Sequence, residues 1–149
     1  MFGADESELP MDEVKDWIAI HRKLFQKGAI TVYRTMQLTP TEIANLQAGA
    51  ALGNHWTYEF DESNIEGFNM NLEDKTKQIY VFEATVRTGE VAFPLTVAYN
   101  VYFPHEKEIF LDSRLARPKI VSVRYFDTQR FTVDDENIRP DLVGVEMRA

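Results

Sequence analysis

The chain is predicted to fold as a single α+β domain, and three features of the sequence predict this class. Apolar residues near the N-terminus recur with the period of a helix, whereas the later part of the chain consists mainly of alternating segments rich in β-branched and aromatic residues. No repeat or composition break divides the 149 residues. With 44% hydrophobic residues, a chain of this length can bury a core without disulfide or metal support. Residues 1–9 are acidic and are expected to form a flexible tail, which leaves residues 10–149 as the domain.

Two helices are expected in the first third of the domain. From Pro10 to Lys27, apolar residues recur at three- and four-residue spacing, and Gly28 follows as a stop. His21 falls on the apolar face of this segment, where a buried core histidine is expected rather than a ligand. Residues 39–42, Thr-Pro-Thr-Glu, combine a capping box with a proline at the first helical position, which predicts a second helix to about Ala48.

Strands are expected over most of the rest of the chain. Alternation of apolar and polar residues and enrichment in β-branched and aromatic side chains predict them. Residues 61–77 lack any period and are expected to form a long loop, of a length that is often functional. The predicted strands are Ile30–Met36, Asn54–Phe60, Gln78–Arg87, Val91–Phe93, Thr96–Phe103, Glu108–Leu111 and Lys119–Phe126.

Composition and charge exclude several classes of function. The 16 basic and 24 acidic residues give a net charge of −8, which argues against a nucleic-acid scaffold and leaves mimicry of nucleic acid as a minor alternative. The absence of cysteine removes disulfides, thiolate catalysis and cysteine-type zinc sites, and three scattered histidines give no support to another metal site. No apolar run approaches the ~20 residues that span a bilayer. The expectation is therefore a cytoplasmic protein without membrane or metal.

Two acidic residues, Glu106 and Glu108, form the first candidate site. They lie two residues apart in a run that is predicted to be extended, so both carboxylates are expected on one face of a strand. A like-charged pair on one face is costly unless a cation, a hydrogen-bonding network or a ligand uses it. The alternative is a solvated edge strand.

Arg34 is the second candidate. It shares its strand face with Ile30, Val32 and Met36, a face that otherwise looks buried. The guanidinium stays charged and needs an anion, and its planar fork suits a phosphate or a carboxylate. Two interpretations remain open at this point: an internal ion pair, for example with Glu108, or an anion clamp at the mouth of a cleft.

His55 and Thr57 are the third candidate. In the predicted strand they share one face, opposite Trp56, and together offer a ring nitrogen and a hydroxyl that can orient a carboxylate or a ribose hydroxyl. The alternative is that Trp56 enters the core while the polar face of the strand is simply wet.

The order of these features resembles the ADP-ribosyltransferases of the Arg, Ser-Thr-Ser, Glu-x-Glu type, which include bacterial toxins and phage enzymes. The resemblance covers roughly residues 30–126. It implies a fold of split antiparallel β-sheets with N-terminal helices, and NAD as co-substrate in the cleft between the sheets. Histidine takes the place of the first serine in the second motif, since residues 55–57 read His-Trp-Thr.

The resemblance also implies a role for each candidate residue. Glu108 would be the catalytic glutamate, and Glu106 the upstream acid that serves transfer to arginine or activation of water. Arg34 would hold the phosphate and ribose of the nicotinamide mononucleotide, with His55 and Thr57 completing the NAD site.

The leading hypothesis is therefore a mono-ADP-ribosyltransferase that cleaves NAD and transfers ADP-ribose to an unidentified protein acceptor, in the host cytoplasm if the gene is phage-encoded. Two alternatives remain: an NAD glycohydrolase with water as acceptor, and a catalytically silent binding module of the same fold.

Overall fold

The computed structural model describes residues 10–61, 76–126, 136–138 and 140–149. Within these residues six strands form one sheet, in the order β4-β2-β1-β3-β5-β6, and every pairing is antiparallel. The predicted α+β class is therefore confirmed. The helices are α1 (Met11–Leu24), α2 (Pro40–Gln47) and α3 (Phe93–Tyr102); the strands are β1 (Ala29–Leu38), β2 (His55–Thr57), β3 (Gln78–Arg87), β4 (Glu108–Phe110), β5 (Lys119–Phe126) and β6 (Glu136–Ile138).

The centre of the sheet is the long pair β1 and β3, which is in register from Ala29↔Arg87 to Leu38↔Gln78. β3 is apolar on both faces of its first half, and Ile79, Phe82 and Ala84 have no exposed surface. A strand buried on both sides reads as a nearly continuous hydrophobic run, and residues 79–82 do so. This rigid pair carries β2 and β4 on one side and β5 on the other.

The two N-terminal helices follow the signals in the sequence. The side chain of Thr39 accepts a hydrogen bond from the amide of Glu42 at 3.1 Å, and Glu42 Oε1 accepts one from the amide of Thr39 at 3.0 Å, so the predicted capping box is present. α1 ends before Gly28, whose φ of +86° suits glycine. His21 is buried between the rings of Phe25 and Phe93, as predicted, but the hydrogen bond expected of a core histidine is absent at its Nδ1 among the described residues.

The strands predicted at Val91–Phe93 and Thr96–Phe103 are wrong, because residues 93–102 form α3 and Val91 makes an isolated β-bridge with Leu111. Pro94 stands in the first turn of the helix, where a missing N–H costs nothing. Thr96, Val97 and Asn100 are buried along the helix, a three- and four-residue spacing that the β-branched and aromatic composition obscured. Burial of this face against the sheet and α1 outweighs a weak local preference for strand.

Other predicted boundaries also changed. The segment Asn54–Phe60 is extended only at β2, and Glu106 lies in a 3₁₀ turn, Pro104–Glu106, rather than on the strand that carries Glu108. The predicted flexible tail and residues 62–75 of the predicted loop lie outside the described residues. In the part of the chain that the structure describes, no helix is both long and apolar enough to cross a membrane.

The attachment of β2 and β4 to the rest of the sheet is narrow. β2 pairs with β1 at one register position, Tyr33↔Thr57, whereas it pairs with β4 along its full length. Beyond that position the side chain of Arg34 spans from β1 to β2, where its Nη1 donates to the carbonyl of His55. The short β2–β4 ribbon therefore meets the four-stranded part of the sheet at a join one residue pair wide.

Candidate functional site

A cleft of about 730 Å³ lies where the β2–β4 ribbon meets β1. All five residues that the sequence singled out line it: Arg34 from β1, His55 and Thr57 from β2, Glu106 from the preceding turn and Glu108 from β4. The sequence motifs thus converge in space, although their roles remain predictions.

Glu108 is held in place by side chains from α3. Asn100 Oδ1 accepts from the amide of Glu108 at 2.9 Å, and Asn100 Nδ2 donates to the carbonyl of Glu108 at 2.8 Å and to that of Thr96 at 2.7 Å. Thr96 Oγ1 in turn accepts from the amide of Phe110 at 3.0 Å. Two side chains one helical turn apart therefore satisfy the edge of β4 as a neighbouring strand would.

His55 makes the direct contact with the carboxyl group. Its Nδ1 lies 2.9 Å from Glu108 Oε1, and its ring packs edge-on against Phe110 and Tyr99, with centroids 4.4 and 5.6 Å away. Cross-strand pairing of His55 with Phe110 accounts for this packing. The two aromatic contacts fix the orientation of the imidazole, and the imidazole in turn orients the carboxyl group.

The surroundings of this pair favour a neutral state. Burial raises the pKa of Glu108 to about 8; the nearby Glu106 adds to the increase and Arg34 opposes it. Burial also lowers the pKa of His55, and Arg34 lowers it further. Both shifts favour the neutral forms, in which a protonated Glu108 donates to the neutral Nδ1 of His55.

Arg34 enters the cleft without a carboxylate partner among the described residues. Its Nη1 donates to the carbonyl of His55 at 2.6 Å, and its Nε is buried without a hydrogen-bond partner. The salt bridges of the described residues do not include Arg34, so an internal ion pair with Glu108 is not formed. Burial lowers the pKa of Arg34, and Glu108, when ionised, opposes this decrease.

The prediction that Glu106 and Glu108 share a strand face is wrong, because a left-handed residue separates them. Lys107, at φ 50° and ψ 51°, ends the 3₁₀ turn and starts β4. The turn still directs Glu106 to the cleft, where its carboxylate is hydrogen-bonded to Tyr99. Burial and this hydrogen bond raise the pKa of Tyr99 to about 12, so its hydroxyl stays protonated and is available as the donor.

The hydroxyl of Thr57 is directed to the same turn. Its Oγ1 lies 3.0 Å from the carbonyl oxygens of both Glu106 and Lys107. Lys107 also forms a salt bridge of 3.6 Å with Glu59. In this structure Thr57 holds the turn that carries the acidic residues, and its predicted contact with the cofactor stays a prediction.

The sequence did not predict three residues of α3 that lie at or next to the site: Thr96, Tyr99 and Asn100. The predicted strand would place Thr96 and Asn100 on one face and Tyr99 on the other. The signal that could have found them is Pro94 followed by polar residues at a spacing of four, which marks a helix start and one helix face.

Comparisons of the chain with protein-family models, with curated proteins and with solved structures returned no match. Among the described residues, no group of three or more histidine or acidic side chains is placed to hold a metal ion.

The hydrogen bonds of Asn100 lead to a first prediction. Asn100→Asp keeps the acceptor for the Glu108 amide but loses both donated bonds and adds a buried charge, so we expect the free energy of unfolding to fall by roughly 2–4 kcal/mol. Asn45→Asp, the same change on the exposed face of α2, should cost little. Urea denaturation of both variants measures this. Equal losses would show that Asn100 does not fix β4.

The raised pKa of Glu108 leads to a second prediction, about stability and pH. Because the folded-state pKa of about 8 exceeds the usual 4.5, the folded protein binds the proton more tightly and loses stability as pH rises from about 4.5 to above 8. Glu108→Gln cannot ionise, so at pH 8.5 it should be more stable than the wild type, by on the order of 2–4 kcal/mol.

The difference between the two proteins should shrink towards pH 5, where Glu108 is protonated in the wild type. Glu59→Gln, at an exposed position on the rim of the cleft, is the control and should follow the wild type across this range. Thermal unfolding of the three proteins as a function of pH measures the effect. A constant difference between wild type and Glu108→Gln would contradict a buried titrating carboxyl.

Proposed function

We propose that this protein is a mono-ADP-ribosyltransferase, which cleaves NAD and transfers ADP-ribose to a protein acceptor. The observation that carries the proposal is a buried carboxyl, Glu108, oriented by His55 at 2.9 Å in the same cleft as Arg34. This is the set of groups that the resemblance in the sequence implied, and the fold supplies it from three separate strands.

The architecture supports an ADP-ribosyltransferase-like fold as part of this proposal. The sheet is antiparallel, and its β2–β4 ribbon joins the remaining strands through one residue pair, with the cleft beside that join. The six strands form one continuous sheet, and this narrow join is the feature that supports a division into two halves with NAD beside it. The cleft volume of about 730 Å³ also falls within the ~300–1,000 Å³ of typical small-molecule sites.

Arg34 supplies the anion-binding group. A guanidinium has five N–H donors, and the described structure uses Nη1 for the carbonyl of His55. Because no described carboxylate neutralises Arg34, its charge is available to a phosphate of the dinucleotide. NAD carries a diphosphate, so a contact with Arg34 would both strengthen the binding of NAD and fix its position in the cleft.

Glu108 acts where positive charge develops. When the bond between ribose C1′ and the nicotinamide nitrogen breaks, its electron pair leaves with neutral nicotinamide and C1′ becomes oxocarbenium-like. An ionised carboxylate beside the ribose stabilises this charge and accepts a hydrogen bond from the 2′-hydroxyl. Binding of the cationic nicotinamide ring favours the ionised form of Glu108, which burial disfavours in the free protein.

Glu106 lies on the exposed side of the same cleft, where an acceptor would approach. The acceptor nucleophile forms the new bond to C1′, and the proton that it loses needs a base. The Glu106 carboxylate, hydrogen-bonded to Tyr99, is positioned at the mouth of the cleft to accept that proton. With water as the nucleophile, the same groups would perform NAD hydrolysis.

A matched set of glutamine variants tests the two glutamates. Glu108→Gln should lower the rate of nicotinamide release from NAD by at least roughly 100-fold, because the neutral amide cannot stabilise the oxocarbenium charge. Glu106→Gln should mainly reduce labelling of acceptor protein, and Glu59→Gln, on the rim of the cleft, should change neither rate much. Nicotinamide release and transfer of labelled ADP-ribose are measured side by side.

The pattern of results separates the candidate functions. Release with labelling supports the transferase, and release without labelling indicates an NAD glycohydrolase. Absence of release from wild-type protein would leave a silent binding module. Full NAD turnover by Glu108→Gln would overturn the catalytic assignment.

The pH dependence of NAD cleavage gives a further prediction. Since the ionised carboxylate of Glu108 is required and its pKa in the free protein is about 8, kcat/KM should rise with pH and level off above about 8. An apparent pKa near the ordinary value of a glutamate would show that the reacting carboxylate is a different one.

A further inference from the structure

Gly53 lies immediately against the guanidinium of Arg34. It precedes β2 by two residues and has φ +95°, a conformation that side chains rarely adopt. A Cβ at this position would meet Arg34 Nη2 at 3.0 Å and Cζ at 3.2 Å. Both distances are shorter than ordinary van der Waals contact, so a Cβ here would push the guanidinium away by a few tenths of an ångström.

The backbone around Gly53 is itself fixed. The carbonyl of Gly53 accepts a hydrogen bond of 3.0 Å from Nε1 of Trp56, whose side chain is 1% exposed. On the other side of Arg34, the carbonyl of His55 accepts from Nη1 at 2.6 Å. The guanidinium is therefore confined by two points of one short segment, residues 53–55, and the buried Trp56 anchors that segment.

We propose that Gly53 is a positioning residue for the anion subsite of the cleft: its missing side chain admits the guanidinium of Arg34 against the backbone and so aims it at a bound phosphate. This inference rests on the proposed function in that NAD would supply the phosphate. The effect of Gly53 on anion binding by Arg34 can be tested with an inorganic anion, without NAD.

The chain contains a matched control for this glycine. Gly49 lies in the same connection between α2 and β2 and has φ +106°, but a Cβ there would meet no heavy atom within 4 Å. Replacement of either glycine by alanine imposes comparable backbone strain. Only the replacement of Gly53 also pushes on Arg34.

A double-mutant cycle isolates the contact. Gly53→Ala and Gly49→Ala are made in the wild type and in an Arg34→Lys background, whose shorter, unbranched ammonium lacks the atoms that a Cβ would meet. Gly53→Ala should lower the melting temperature more in the wild type than in Arg34→Lys, whereas Gly49→Ala should have the same effect in both. An equal effect of Gly53→Ala in the two backgrounds would overturn the inference.

Calorimetry with inorganic pyrophosphate and with NAD tests the functional part. Gly53→Ala should raise both dissociation constants by roughly tenfold or more, because a small displacement of a binding group is costly, while Gly49→Ala should leave them unchanged. In activity measurements the KM for NAD should rise more than kcat falls. Equal weakening by the two alanine variants would overturn the inference, since backbone strain alone would then explain it.

The outcomes distinguish this inference from the proposed function. If the wild type binds pyrophosphate through Arg34 and Gly53 but does not bind NAD, the proposed function fails and the anion subsite stands. If the wild type binds NAD while Gly53→Ala binds it equally well, the inference fails alone. If Gly53→Ala does not fold, the pair Gly53→Asn and Gly49→Asn replaces it, because asparagine tolerates positive φ better and carries the same Cβ.

Discussion

The amide side chain of Asn100 bonds both the N–H and the carbonyl of Glu108, and the geometry of the cleft depends on this pair of hydrogen bonds. β4 has only three residues, and on its edge away from β2 Thr96 and Ala92 bond Phe110 while Asn100 bonds Glu108. Once α3 fixes that edge, β2 is fixed by pairing with β4, and His55 and Thr57 follow. α3 thereby determines where Glu108 of β4 meets His55 and Thr57 of β2.

Several features of the cleft lower the free energy of unfolding. A carboxyl is buried beside a second acidic residue, an arginine Nε is left without a partner, and Lys107 adopts a left-handed conformation that costs free energy outside glycine and asparagine. Each of these features lowers stability, and all of them occur at one place. Such a concentration is typical of a site shaped by binding or catalysis rather than by folding.

Sequence reasoning succeeded where local and global preferences agreed. β3 and β5 have the predicted bounds, because long runs rich in β-branched and aromatic residues leave little ambiguity, and the capping box located the start of α2. It failed at α3, where tertiary burial decides the conformation of a stretch rich in β-branched and aromatic residues. The turn at Lys107 was also unpredictable, since a lysine carries no signal for positive φ. Glu106 therefore lines the predicted cleft, but from a 3₁₀ turn instead of the predicted strand.

The join between β1 and β2 at Tyr33↔Thr57 has a consequence for the energetics of the whole domain. The two parts of the sheet share one backbone pair, and the buried side chains of Trp56 and Ile109 pack in the same hydrophobic core as β1 and β3. Core packing, more than backbone hydrogen bonding, therefore holds the β2–β4 ribbon to the central strands. A ligand that contacts Arg34 on one side and the β2–β4 ribbon on the other would bridge the two parts. Binding of this ligand would then stabilise the sheet against separation of the two parts, so the folded protein would be more stable with the cleft occupied.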